Sequence, residues 1–498
     1  MVDAHPHVFS ALASEHTTDQ RADLRRLTLA AALTLCAYVL LWALPFPLLP
    51  WYDVPLLDLG KLADYDPLHA VALAAGYAVV FACYVSAWRA AARLRGRAAA
   101  VLVIGAGIVF ALVLVWVYPA GANDIYDYVF RARLWGQYDY NPLTVTPLQV
   151  NTDPWFRYVV WIWFPSPYGP LWAEISVLLN RLGGDSLLAN LLLFKLLAVA
   201  CIALGSLLLF ALLRERGEGE ALGGTLLFAW NPLLLFEAAV NGHNDVLMAM
   251  LLLGGLWFFR RRRLRTALVL CTLAGLVKIA AFVALPVLLL AGARSSAARS
   301  RTQHVRLLFD ALAACLLTAA AVYAPLWQGS QSVAGLLALD NRFTASAAAV
   351  VKLALEARIG PDAAEWLARS AFTLLFLGVY LRMLRRAAQG HAPLEQTLAA
   401  GIAALLIVGT LWFQPWYVTW LLALAPLAGR RWQRTTILWS AGALSLYLLY
   451  DFAWYWFADF FNSANGLVLN ACALALWLGP VMLWRKKDRT PAGGPTAP

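Results

Sequence analysis

Charge is what this chain has least of: Asp, Glu, Lys and Arg make up 13% of its 498 residues, against 62% hydrophobic ones and a mean hydropathy of +0.66. A water-soluble domain carries about twice that charged fraction. An ordinary soluble protein is therefore excluded. Cysteine is also scarce, and Cys36, Cys83, Cys201, Cys271, Cys315 and Cys472 stand singly inside apolar runs. That pattern excludes a disulfide framework or a paired-cysteine metal or redox motif, and it reads as small buried hydrophobes. Met1 to Arg26 has no basic stretch leading into a short apolar core and a small-residue cleavage site, so no cleavable signal peptide is expected. Repeats of fixed period and soluble domains are missing too. The net charge of +11 comes from short clusters between apolar runs rather than from a continuous stripe. Membrane orientation accounts for those clusters, and no nucleic-acid partner is expected.

What is present is apolar length. Runs long enough for a hydrocarbon core of about 30 Å fall at 27–49, 68–88, 98–118, 186–213, 220–239, 245–259, 307–325, 366–384, 396–412, 416–428, 434–450 and 464–484. The expected fold class is all-α and polytopic, with about 12 spanning helices, a short broken hairpin and interfacial helices in the outer loops. A polar tail over 1–26 precedes the membrane domain of 27–484, and a Pro, Gly and Thr tail over 485–498 is expected to be disordered. Cationic loops stay cytoplasmic, and the Arg89 to Arg97, Arg260 to Arg265, Arg382 to Arg386 and Arg430 to Arg434 clusters then put both termini inside. The run from Thr266 to Gly292 has basic clusters on both flanks, the second formed by Arg294, Arg299, Arg301 and Arg306. Two short helices with Lys278 at their tip reconcile those flanks; a single span with a snorkelling lysine is the alternative.

The same parity gathers the polar motifs on one side. Gly121 to Pro142 (GANDIYDYVFRARLWGQYDYNP) is the richest of them. Asp124 and Asp127 are three apart and share a helix face with Arg131 four further on, since residues three and four apart are neighbours on a helix. A carboxylate pair beside a guanidinium suits proton abstraction next to an anionic leaving group; a solvated membrane-surface loop is the plainer reading. Tyr128 and its aromatic neighbours can stack on sugar rings or form an interfacial belt. NGHND, Asn241 to Asp245, offers Asn241, His243, Asn244 and Asp245 as donors and acceptors for a polyhydroxylated ligand, where a helix cap needs only one such residue. Tyr168 in SPYGPLW and Gln414, Trp416 and Tyr417 in WFQPWY complete the candidate lining. Lys278, with Arg131 beside it and Lys195 and Arg342 behind it, is the candidate for a lipid-borne phosphate; a lysine inside a span can instead pair with one of the carboxylates and only hold helices together. Metal binding by Asp124, Asp127, His243 and Asp245 is chemically open, but the spacing carries no metal motif.

NDIYDY, then SPYGPLW, then NGHND, then the GLVK of Gly275 to Lys278, in this order, resemble the C-type glycosyltransferase superfamily. The closest likeness is to bacterial polyprenol-phosphomannose-dependent mannosyltransferases and their glycosyltransferase 87 type relatives. The resemblance covers most of residues 100–430. It implies a multi-pass protein of the bacterial plasma membrane that moves a hexose, mannose by the same likeness, from a polyprenyl monophosphate to a lipid or glycan acceptor hydroxyl with inversion, outside the cytoplasm. No nucleotide donor, metal or other cofactor is implied. An acidic residue of an early outer loop acts as base, which falls on Asp124 with Asp127 as the other choice. Two departures leave that choice open: two spans precede the loop where many members have one, and Asn123 precedes the acidic pair. A lipid-linked-sugar flippase and a glycan ligase are the rival functions. Acceptor choice is expected to rest on the outer loops around 143–165 and 326–365.

Overall fold

The computed structural model describes residues 6–295, 301–338 and 342–487; Arg299 and the tail beyond residue 487 lie outside them. Among the described residues the chain is helical, with isolated bridges such as Pro47 to Val117 and Thr344 to Trp412 in place of a sheet. The reason lies in composition. Leu187–Leu213, for example, is mostly Leu and Ala, which lose little side-chain freedom in a helix. Its start is set by Ser186, whose hydroxyl accepts from the Ala189 N–H at 3.2 Å. Pro67–Ala91 starts likewise at Asp66, which accepts from the Leu68 N–H at 3.0 Å, with Pro67 in the first turn.

Eight helices among the described residues are long and apolar enough to cross a membrane, and the pair Glu218–Ala229 and Pro232–Val240, bent by 44°, makes a ninth candidate. The chain is thus a multi-pass membrane protein. Not every one of the 12 runs read as a span is a single long helix. The runs beginning near 245 and 396 fold as shorter helices, Asp245–Arg260 and Leu394–Ala404, and the run at 416–428 breaks into single turns ending at Gly429, whereas the run from 266 is broken at Lys278 into Leu264–Val277 and Ala284–Ser295, as its two basic flanks imply. At 1.5 Å per residue, Asp245–Arg260 reaches only about 24 Å. The first helix, Pro6–Tyr38, also begins inside the stretch read as a polar tail.

Leu187–Leu213 packs against Glu218–Ala229, Asp245–Arg260, Arg97–Leu114 and Pro170–Gly183, so it is the inner post of the bundle. Leu316, Leu317 and Phe309 lie exposed on Arg301–Tyr323, as a lipid-facing surface requires. Lys195 sits inside with no exposed surface, and its Nζ donates to the carbonyls of Val115 at 3.2 Å and Val117 at 2.5 Å. Those carbonyls follow the last turn of Arg97–Leu114, where acceptors have no intrahelical partner. Lys195 is a C-terminal cap there, and the phosphate role considered for it is withdrawn.

Candidate functional site

Asp124 opens the helix Asp124–Tyr138, directly after the polar turn at Asn123. Its two oxygens are held by neutral donors: Trp161 Nε1–H donates to Oδ1 at 3.2 Å and the Tyr168 hydroxyl donates to Oδ2 at 3.0 Å. Burial and then the charge of Asp127 push its carboxyl up to about 6, against the two hydrogen bonds and Lys278. One turn on, Asp127 is tied instead to Arg131, whose Nε–H donates to Oδ2 at 2.6 Å. Arg131 also donates to the Trp161 carbonyl at 3.0 Å. The three-and-four spacing therefore does form a shared face, with the two carboxylates in different chemical situations.

The second wall meets the first at Tyr168. Lys278 stands at the break after Leu264–Val277, in extended backbone at φ −148° and ψ 122°, and its Nζ reaches both Asp245 oxygens at 2.8 Å. The ammonium lies 5.8 Å from the Tyr168 ring, 5.2 Å from Tyr417 and 5.7 Å from Trp420. Trp420 also donates to Asp245. Lys278 is thus a paired cation in an aromatic cage. The Gly169 N–H donates to the Val277 carbonyl at 3.2 Å and locks the Tyr168 strap to this turn.

NGHND is prepared by a π-helical turn, Phe236–Val240, which places Glu237 in the interior. Glu237 accepts from the Tyr447 hydroxyl at 2.7 Å and from Asn241 Nδ2 at 2.8 Å. Asn241 Oδ1 in turn accepts from the Gly121 N–H. His243 lies over Trp416 at 4.1 Å between ring centroids, with Nε2 3.8 Å from Glu237 and Nδ1 4.0 Å from Asp245. Those separations are too long for hydrogen bonds. Burial, then Lys278, keeps the imidazole well below its ordinary pKa and hence neutral.

Several buried polar atoms with no hydrogen-bond partner fall within these two motifs, alongside others elsewhere in the bundle: both His243 nitrogens, both amide atoms of Asn244, Asp127 Oδ1, Arg131 Nη1 and Asn123 Oδ1. Native proteins satisfy nearly all such atoms internally, so a cluster of them marks groups addressed to a bound molecule. Among the described residues no three His, Cys, Asp or Glu side chains converge to hold a metal ion.

The candidate residues divide accordingly. Asp124, Tyr168, Lys278, Asp245 and Tyr417 come together. Tyr128 does not line the site: its ring packs edge-on to Tyr168 and Trp172 at 5.0 Å each, so it supports Tyr168 from behind. Gln414 is half-buried and precedes the turn Pro415–Val418 that carries Trp416 and Tyr417. Arg342 lies 4.7 Å over the Trp161 ring and has no carboxylate partner among the described residues. Glu237, Tyr447 and Trp420 are additions that motif reading did not supply. A carboxylate inside an apolar run was the available signal for Glu237.

The model for the N-terminal domain of alpha-(1->6)-mannopyranosyltransferases matches residues 25–294, which hold Asp124, Tyr168, His243, Asp245 and Lys278. Over 471 residues the chain is 25% identical to alpha-(1->6)-mannopyranosyltransferase A of Mycobacterium tuberculosis, with 87% of each chain covered. It is 25% identical over 342 residues to alpha-(1->6)-mannopyranosyltransferase B of Corynebacterium glutamicum, covering 62% of this chain and 56% of that one. A 175-residue match to alpha-(1->6)-mannopyranosyltransferase A of the same organism is again 25% identical and covers 35% of each.

Proposed function

The chain belongs to the alpha-(1->6)-mannopyranosyltransferase family, and from that premise we propose that this membrane mannosyltransferase takes mannose from a polyprenyl monophosphate and joins it to an acceptor hydroxyl with inversion. The positive-inside pattern supports cytoplasmic termini and a site on the extracytoplasmic side. The observation that carries the proposal is the set of buried, unpartnered polar atoms on the two motifs that flank Asp124 and Lys278.

Asp124 takes the proton of the acceptor hydroxyl while that oxygen forms the new bond to the anomeric carbon. The bond from that carbon to the phosphate oxygen breaks, and its electron pair leaves on the polyprenyl phosphate. Inversion gives the α-linkage in the relatives' names from a β-linked donor. A carboxyl near 6 suits a base working close to neutral pH. Asp127 is spent on Arg131 and serves as a positioning residue. The leaving phosphate gains charge, so fixed cations matter more than a general acid. Lys278 is shared with Asp245, and Arg342 supplies a second cation. His243 and Asn244 bind sugar hydroxyls.

Reconstituted protein given labelled polyprenyl-phosphate mannose and an acceptor is expected to form a mannosylated product. Asp124→Asn should lower turnover about 10²- to 10⁴-fold with an unchanged melting temperature. Full turnover in that variant, with loss in Asp127→Asn, would transfer the role to Asp127. Label that crosses the bilayer without forming product would make the protein a flippase.

A further inference from the structure

A concavity lies beside the helix Asp124–Tyr138, between the loop that follows it and two other stretches of chain. The cavity has a volume of about 600 Å³, and Tyr52, Asp53, Trp155, Arg157, Tyr158 and Asp185 form its working surface. Those residues come from three separate stretches of chain. The wall is rigid. Asp153 is buried, accepts from the Trp155 N–H at 2.7 Å and binds Arg133 at 3.0 Å, and the Arg133 guanidinium lies 4.0 Å over the Trp155 ring. The Tyr158 ring is buried and stacks on Tyr126 at 5.3 Å, while its hydroxyl donates to the Asp53 carbonyl at 3.0 Å and accepts from Arg157 at 2.6 Å.

The rim is polar. The Asp53 carboxylate is exposed and has no partner among the described residues. Asp185 uses Oδ1 for Arg133 and Gln137, at 2.9 Å and 2.8 Å, which leaves Oδ2 open to solvent. Two carboxylates against one arginine disfavour a phosphate or an acidic chain, and carboxylates at the mouth disfavour an acyl chain. Aromatic surface bordered by carboxylate and guanidinium matches one chemistry well: sugar rings, with an apolar face to stack and neighbouring hydroxyls to hydrogen-bond.

Position gives this pocket its role. Tyr126, against which the floor stacks, is in the first turn of the helix that Asp124 opens. Trp161, three residues beyond Tyr158, donates to Asp124 itself. Tyr126 and Asp124 are two apart and so leave the helix on different faces, while the backbone from Tyr158 to Trp161 spans at most about 10 Å, so the pocket lies across the helix from the candidate base and one short segment of chain away from it. We propose that this pocket is a glycan subsite, which holds an oligohexoside acceptor by sugars behind its reacting end and so favours long acceptors over short ones. The proposal rests on the transferase reading above and adds to it a determinant of acceptor length.

The test uses the full-length protein in lipid nanodiscs with two acceptors, a single mannoside and an α-linked hexamannoside, and the variants Asp53→Ala and Tyr52→Ala. The expected result for both variants is a KM for the hexamannoside raised about tenfold, with its kcat and both constants for the single mannoside unchanged. Equal shifts for both acceptors, or no shift for either, overturns the subsite. Binding of the hexamannoside without donor is read separately by calorimetry. Saturable binding that both variants weaken supports the pocket even if no transfer is seen. Binding that is absent or unaffected by both variants overturns it while leaving the transferase reading intact.

Discussion

Asn241 Oδ1 accepts a hydrogen bond from the backbone N–H of Gly121 at 3.1 Å, so the first residue of one polar motif holds the first residue of another. Asn241 is buried and its amide nitrogen is committed to Glu237. Its task is therefore to join the two walls of the site, whereas the side-chain polar atoms of His243 and Asn244, the residues proposed to bind the sugar, remain unpartnered. The contact also explains why Glu237 sits where it does. A carboxylate in an apolar run is costly unless its oxygens are engaged, and Tyr447 and Asn241 engage both of them.

Burial and Asp127 raise the Asp124 carboxyl, and the bond from Tyr168 works against that rise. On the proposed reading Asp124 works as the carboxylate, so kcat/KM is expected to rise with pH through about 6 and to be lost below it. The Tyr168 hydroxyl stabilises the charged form. Tyr168→Phe is expected to move the acid limb upward by about one to two pH units, because a hydrogen bond to a charged group contributes about 1.5–3 kcal/mol. A pH–rate profile of the variant decides this, and an unmoved limb refutes it.

Lys278 and Asp245 are predicted to be strongly coupled. Both are largely buried and their charges neutralise each other, so removing either partner leaves an uncompensated charge that costs about 3–5 kcal/mol. Lys278→Met and Asp245→Leu should each lower the melting temperature sharply, and the double variant should recover much of the loss. Simple additivity of the two, measured as a double-mutant cycle in nanodiscs, would refute the coupling.

Gly169 is predicted to tolerate no side chain. A Cβ there would stand 1.9 Å from the Leu276 carbonyl oxygen, whereas at Gly105 it would meet nothing within 4 Å. Gly169→Ala should destabilise by about 2–3 kcal/mol through overpacking and lower activity by displacing Tyr168. Gly105→Ala, in the middle of Arg97–Leu114, should be neutral or stabilising by up to about 1 kcal/mol. Unfolding curves of the two variants side by side provide the comparison.

Lys195 lies among the spans but is predicted to be dispensable for transfer. Its ammonium touches only the carbonyls at the end of Arg97–Leu114. Lys195→Met leaves the Val115 and Val117 carbonyls without that donor and costs about 1–3 kcal/mol of stability for each acceptor left unpaired, but it moves no group of the candidate site. Activity within about threefold of wild type is expected, since substitutions that leave the reacting groups in place remove little transition-state stabilisation. A loss comparable to that of Asp124→Asn would return Lys195 to the substrate path.

Composition and charge parity made the membrane class, most of the long helices and the break at Lys278 legible, because each depends on local runs of residue type. The Asp124 to Arg131 face was legible for the same reason: a helix repeats every three to four residues. What sequence could not supply were partners distant in the chain. That Lys278 meets Asp245 rather than another carboxylate, and that Lys195 meets the carbonyls of Val115 and Val117, comes only with the fold. Tyr128 and Tyr168 belong to motifs of similar aromatic character, yet only packing separates the one that touches Asp124 from the one that backs it. The runs at 245 and 396 look like spans by hydropathy, which does not register where a helix stops short.

The π-turn at Phe236–Val240 carries one more residue than an α-helical turn would, and NGHND follows it directly. Each α-helical residue advances about 100° around the axis, so the surplus residue sets the phase with which His243 and Asn244 arrive opposite Trp416. Excising one residue from this turn would relieve an irregularity and swing the motif away from its facing wall. The irregular turn is thus an alignment device, and shortening it would disarm the site while leaving its side chains all present.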